Sequence, residues 1–231
     1  MSKIGVDLEG AMNFSVMLFQ LGDGMLKTIG IFCLTLLFSL PLGFIVCFGR
    51  MAKKGWTGKV IGILCRVYIS ILRGTPLMLQ LMVVYFGPYF LFGMSIGSNW
   101  RFPAIIIGFS LNYAAYFAEI YRSGIESMPI GQYEAAKLLG YNKIQTFFKI
   151  ILPQVIKRIL PAVTNEVITL VKDTSLAYAL AYAEMFTIAK QIVASKSDFT
   201  PFIIAAVFYY IFNLVVAMAM EFIEKKLSYY Q

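Results

Sequence analysis

Apolar residues in this chain fall into five long blocks separated by shorter polar stretches, and that blocking sets the predicted architecture. The blocks cover roughly 25–48, 60–92, 104–121, 155–180 and 201–222. Each holds enough residues for a helix of ~20, the length that crosses a hydrocarbon core of about 30 Å. The prediction is an all-α membrane protein with five transmembrane helices. The second block is too long for one upright helix and is expected to tilt or break near Gly74-Thr75-Pro76. The fourth turns polar at Lys172-Asp173-Thr174-Ser175. Residues 1–24 mix Lys3, Asp7, Glu9 and Asp23 with apolar residues and lack a cleavage pattern. Within them, 12–21 (MNFSVMLFQL) reads as a short helix on the membrane surface.

Composition supports the membrane reading. Of 231 residues, 59% are hydrophobic, against ~45–50% in a soluble domain. The net charge of +8 would suit nucleic acid, but its placement argues for membrane orientation instead. Arg50, Lys53, Lys54, Lys59 and Arg66 follow the first span. Arg122, Lys137, Lys143, Lys149, Lys157 and Arg158 lie between the third and fourth, and Lys225 and Lys226 follow the fifth. These are 13 of the 20 basic residues, and they sit on alternate connections, which the positive-inside rule places in the cytoplasm. The N-terminus and the loops 93–103 and 190–200 are then outside, and the C-terminus inside. There is no histidine. Cys33, Cys47 and Cys65 show no metal-ligand spacing and read as small hydrophobes.

The connection between spans three and four is polar, helix-prone and punctuated. Gly131 and Gly140 bracket a short helix, Gln132 to Leu139, since glycine commonly terminates helices. A second stretch, Asn142 to Leu152, carries Ile144, Phe147, Phe148 and Ile151 as its apolar face, and Pro153 is expected to interrupt it. The resulting elbow offers Tyr133, Ala135, Ala136, Leu138 and Leu139 to a partner's pocket. Glu134 is placed to cap the short helix or to pair with a basic residue of that partner.

Ionisable groups inside a bilayer are costly and face a cavity or each other. In span four, Glu166, Thr169 and Asp173 fall on one helical face, with Asn165 and Lys172 on the adjacent stripe. That face is expected to line a wet cavity in which Glu166, Asp173 and Lys172 meet both ends of a zwitterion. The plainer reading is an ion pair that fixes packing. In span two, Thr75 suits an N-cap and Pro76 a first helical turn. A helix starting inside the membrane presents free N–H groups to a cavity, with Arg73 before it and Gln80 a turn beyond. The alternative is a simple proline kink with Arg73 snorkelling. Span three adds Asn112 and Tyr116, which contact solute or bond across helices, and Glu119, which pairs with Arg122. Tyr85, Phe86, Tyr89 and Trp100 read as an interfacial aromatic belt.

Four phrases carry a resemblance. Glu134-Ala135-Ala136, then Gly140, then Ile150-Ile151-Leu152-Pro153 resembles the signature loop of ABC importer membrane subunits. Arg73-Gly74-Thr75-Pro76, the run Ala115 to Ile125, and Lys172-Asp173-Thr174-Ser175-Leu176 look like the polar amino acid permease branch of that superfamily. Ser123 stands where glycine is frequent, and Met128-Pro129 where Val-Pro is commoner. The resemblance covers about residues 25–224. It implies a type I ABC importer permease fold, with an N-terminal extracytoplasmic or interfacial segment (1–24), the transmembrane domain (25–224) and a cytoplasmic tail (225–231). It also implies a coupling loop at 130–153, where Tyr133, Glu134, Ala135, Ala136, Leu139 and Gly140 would take up the movement of an ATPase. Glu166 and Asp173 match acidic positions of members whose pore holds an amino acid.

The implied partners are a cytosolic ABC ATPase dimer, a second permease subunit (the same or a sister chain) and an extracytoplasmic amino-acid-binding protein. The place is the bacterial cytoplasmic membrane. No G-x-x-x-x-G-K-[ST] occurs, so ATP and Mg²⁺ belong to the partner ATPase and this chain is not itself an enzyme. The expectation is a permease moving a polar amino acid by alternating access. The rivals are a membrane-embedded enzyme, which lacks a histidine or metal cluster here, and a passive channel or sensor, which has no need of the elbow.

Overall fold

The computed structural model describes residues 2–52 and 55–227, with side chains from Phe14 onward. Lys53 and Lys54, and the side chains of Lys3, Asp7 and Glu9, lie outside the described residues. Nine α-helices follow in order: α1 Ser2–Met51, α2 Gly55–Gly74, α3 Leu77–Phe92, α4 Arg101–Glu126, α5 Ile130–Leu138, α6 Lys143–Gln145, α7 Leu152–Asp173, α8 Met185–Lys196 and α9 Thr200–Leu227. A π turn, Thr146–Ile151, joins α6 to α7, and 3-10 turns lie at Ser98–Trp100 and Thr174–Leu180. No strand occurs among the described residues.

Among the described residues, four helices are long and apolar enough to cross a membrane: Phe14–Met51, Gly55–Gly74, Ser98–Glu126 and Thr200–Leu227. Helix α3 is shorter, and α7 carries the polar face that lowers its hydropathy. Residues 12–21 are continuous with the first span. Met17, Leu21 and Met25 pack against Met185, Ala189 and Ile192 of α8, which holds this stretch in register with the rest of α1.

Helix α4 is the axis of the bundle. Fourteen of its residues are buried, and Ile105, Phe109, Tyr113 and Phe117 share the main core with Ile31, Leu81, Leu170 and Val171. Its closest neighbour is α1, and Gly43 makes the approach possible. A Cβ there would stand 2.8 Å from Phe117 Cβ and 3.1 Å from the Ala114 carbonyl oxygen. Glu119 also ties α4 to α1, through Arg50 at 2.5 Å, while pairing with Arg122 as expected.

The second apolar block breaks where Pro76 requires it, between α2 and α3. Pro153, by contrast, does not interrupt its helix. The Leu152 N–H donates five residues back to the Phe147 carbonyl, and this widened turn carries the chain into α7 with Pro153 in its first turn, where a missing N–H costs least. The stretch expected as the loop 190–200 is largely helix, α8. Its N-cap, Glu184, is fully buried and accepts from the Phe186 and Thr187 backbone N–H groups and from the Thr187 and Tyr209 hydroxyls.

Candidate solute cleft and coupling elbow

The break between α2 and α3 is built from its unpaired carbonyls. In a continuous helix the Leu72 carbonyl would accept from residue 76, but proline has no N–H. Two buried amides replace it: Gln80 Nε2 donates to Leu72 O at 2.9 Å and Asn112 Nδ2 at 3.1 Å. Asn112 also donates to Gln80 Oε1 at 2.8 Å, and Gln80 Nε2 lies 3.0 Å from Thr75 O. Thr75 does not cap α3. Its hydroxyl donates back to Ile71 O at 2.8 Å and lies 2.8 Å from Gln80 Nε2, and Pro76 holds the N-cap position without a side-chain bond. Gln80 and Asn112 are thus occupied in holding the break open, and α3 begins with free amides beside a cavity.

That cavity, of about 230 Å³, is lined by Thr75, Leu77, Asn112, Tyr113, Tyr116, Glu166, Thr169 and Asp173. Six of the nine residues singled out for solute contact therefore converge on one cleft between α3, α4 and α7. Arg73 stands at its rim, its guanidinium 5.2 Å from the Tyr116 ring centre. Gln80 lies behind the wall, and Lys172 is exposed and not part of the lining. The 3-10 turn after Asp173 packs against α3.

Leu77 and Tyr113 complete the lining, and Tyr113 brings a polar contact to it. Its hydroxyl donates to Asp173 Oδ2 at 2.8 Å, so Asp173 is held by α4 and not by Lys172. In sequence Tyr113 stands beside Asn112 and one turn from Tyr116 among the polar residues of span three, but a tyrosine on an apolar helix is by pattern equally a core residue. The Glu166 carboxylate has no protein donor among the described residues. Thr169 back-bonds to Asn165 O at 2.8 Å, which leaves its hydroxyl lone pairs facing the cleft. The arrangement sets two acids on α7 against a guanidinium and a helix N-terminus. Among the described residues no metal-binding group of three or more Cys, Asp or Glu side chains forms.

The elbow is attached to both of its neighbours. Gly140 ends α5 with φ of +77°, a left-handed conformation that costs an L side chain strain. Asn142 then opens α6 with a reciprocal capping box, Gln145 N to Asn142 Oδ1 at 2.9 Å and Asn142 N to Gln145 Oε1 at 3.0 Å. Arg158 of α7 donates to Ser127 O at 2.6 Å, and Gln154 to Gln132 Oε1 at 3.3 Å, fastening α7 to the end of α4 and to α5. Glu134 and Ala135 are exposed, as are Tyr133, Leu138 (89%) and Leu139 (74%). Ala136 is the exception: it is buried, and it packs the elbow instead of facing a partner. The second stretch divides similarly, with Ile151 buried and Ile144 and Phe148 exposed.

Comparison with known proteins decides the family. Residues 39–229 match the family described as binding-protein-dependent transport system inner membrane component. The chain belongs to this family. It is similar to the L-cystine transport system permease protein TcyB of Bacillus subtilis (strain 168), 35% identical over 91% of this chain and 87% of that one. It is also similar to the putative glutamine transport system permease protein GlnP of Rickettsia bellii (strain RML369-C), 34% identical over 95% and 98%. Among solved structures, one described as an amino acid ABC transporter with histidines superposes with a TM-score of 0.82 at 30% identity, covering 93% of this chain and 97% of that one. The fold is that of type I ABC importer permeases. The chain is a membrane-embedded permease component, ATP is hydrolysed by separate subunits, and the readings as an embedded enzyme or a passive channel fall away.

Proposed function

We propose that this permease carries a polar amino acid with a cationic or zwitterionic head inward across the bacterial cytoplasmic membrane. The observation that carries the reading is the cleft itself. Glu166 and Asp173 face an ammonium or guanidinium group from α7, while Arg73 and the opening turn of α3 answer a carboxylate. The cystine and glutamine permeases among its relatives fit such a site. Five spans cross the membrane: α1, α2 with α3, α4, α7 and α9. The basic residues put the N-terminus outside, with the elbow and C-terminus in the cytosol.

Two permease subunits, two ATPases and an extracytoplasmic binding protein form the particle. ATP binding draws the ATPases together, and the elbows follow as rigid bodies. The core spans then open outward to receive solute, and hydrolysis reverses the motion. Tyr133, Glu134, Ala135, Leu139 and Gly140 form the coupling contact, and Ala136 sets their spacing from α7. ATP turnover by the complex reconstituted with its binding protein, screened across amino acids, tests the reading. Stimulation by one or a few basic or zwitterionic amino acids is expected, and no stimulation by any of them would overturn the substrate assignment.

A further inference from the structure

The elbow-side end of the bundle holds a second cavity, separate from the solute cleft. It measures about 580 Å³ and lies between the ends of α1, α2 and α4. Its charged lining is Arg50, Lys59, Arg66, Arg122 and Glu126. Arg50 and Arg122 are held by Glu119, and Arg122 also by Glu126. Lys59 and Arg66 have no carboxylate partner among the described residues. Arg66 Nε donates to Gly62 O on its own helix at 3.3 Å. Among the described residues, four cations therefore face two carboxylates, a surplus of two positive charges around a preformed hollow.

The outer face of α2 continues this cavity in apolar form. Trp56, Lys59, Ile63 and Arg66 share one stripe of the helix, at i, i+3, i+7 and i+10. Only Gly58, Gly62 and Ile69 of α2 are buried. Trp56 is 80% exposed at the N-terminal end of α2, Ile63 lines the cavity, and Val67 and Ile71 are exposed beyond it. A Cβ at Gly62 would lie 3.2 Å from the Ala52 carbonyl oxygen, so α2 and the end of α1 are in close contact at the cavity floor. Arg66 lies midway along α2 but reaches back to Gly62, so it meets Lys59 at the cavity; with the exposed tryptophan on the outer side and Val67 and Ile71 below, these groups match the parts of a phospholipid in order.

We propose that this cavity binds the phosphate headgroup of an anionic phospholipid, with Arg66 and Lys59 on the phosphate and the acyl chains along Ile63, Val67 and Ile71. Guanidinium and ammonium groups supply the charge-assisted bonds a phosphodiester needs. A free phosphate would use the cations and leave the aliphatic strip uncovered. The proposal is independent of which solute the central cleft carries.

Native mass spectrometry of the whole detergent-solubilised complex tests it, with dioleoyl-phosphatidylglycerol and dioleoyl-phosphatidylcholine as probes. Phosphatidylglycerol is expected to be retained at least fivefold better than phosphatidylcholine. The Lys59→Gln/Arg66→Gln variant should lose that preference, Arg66→Lys should keep part of it, and Lys196→Gln, away from the cavity, should keep all of it. Equal retention of the two lipids by the unaltered complex would overturn the proposal, with no variant needed. So would undiminished preference in the double variant. Displacement of phosphatidylglycerol by millimolar inorganic phosphate would identify a free-anion site and overturn the lipid assignment.

Discussion

Asn112 of α4 donates to the Leu72 carbonyl of α2 at 3.1 Å, filling the place of the N–H that Pro76 lacks. Gln80 donates to the same oxygen at 2.9 Å, so the break that opens the cleft is sealed twice. Gln80→Leu is expected to cost about 1–3 kcal/mol, the penalty of stranding a buried polar group, and Asn112→Leu less, because Gln80 also holds the Thr75 carbonyl and hydroxyl and Asn112 does not. The two variants should be non-additive. Thermal unfolding of the purified complex measures all three, and strictly additive losses would show that the amides do not share a task.

The break itself was legible in the sequence, because a proline in an apolar block has one consequence for the backbone. The partner of Thr75 was not. A threonine before proline can bond forward as a cap or back to the preceding turn, and Gln80 decides which. The alternation of polar groups along α7 likewise located Glu166, Thr169 and Asp173, since spacing on one helix survives folding. Lys172 shares a stripe with Asn165 and yet points outside, because the neighbouring helices and not the helix itself decide which edge of a polar face meets the cleft. Helix α8 escaped notice for a different reason: its cap, Glu184, sits in a run of mixed residues whose burial only the packing of α1 and α9 reveals.

Charge removal at the cleft separates binding from scaffolding. Asp173→Asn is expected to raise the KM for solute about tenfold, a loss of ~1.4 kcal/mol, with assembly intact. Tyr113→Phe frees Asp173 to move and should raise KM by a smaller factor. Lys172→Gln, outside the lining, should leave KM unchanged. Uptake into proteoliposomes at varied solute concentration distinguishes the three, and a Lys172→Gln effect as large as that of Asp173→Asn would contradict the assignment of the cleft.

Close packing of α1 on α4 leaves no room at Gly43. Gly43→Val should destabilise the permease by about 1–3 kcal/mol, the usual range for overpacking, because two of the three nearest atoms, the Ala114 oxygen and the Ala118 nitrogen, are backbone and cannot rotate aside. A lowered unfolding temperature without change in solute KM is the expected pattern.

Gly140 offers a graded test of the elbow. Its φ of +77° should cost alanine about 1–2 kcal/mol, while asparagine, which tolerates that conformation, should be milder. No heavy atom lies within 4 Å of a Cβ built there, so the effect is one of backbone and not of crowding. Gly140→Ala and, more severely, Gly140→Pro are expected to lower the ratio of solute moved to ATP hydrolysed. Normal uptake by Gly140→Pro would remove the coupling role.

Coupled transport requires that the elbow be gripped by an ATPase. A photocrosslinking residue placed at Leu138, 89% exposed, tests this most directly in the assembled complex. The expected result is a covalent adduct with the ATP-hydrolysing subunit whose yield changes when ATP is added. An adduct only with lipid or with the extracytoplasmic binding protein would contradict it.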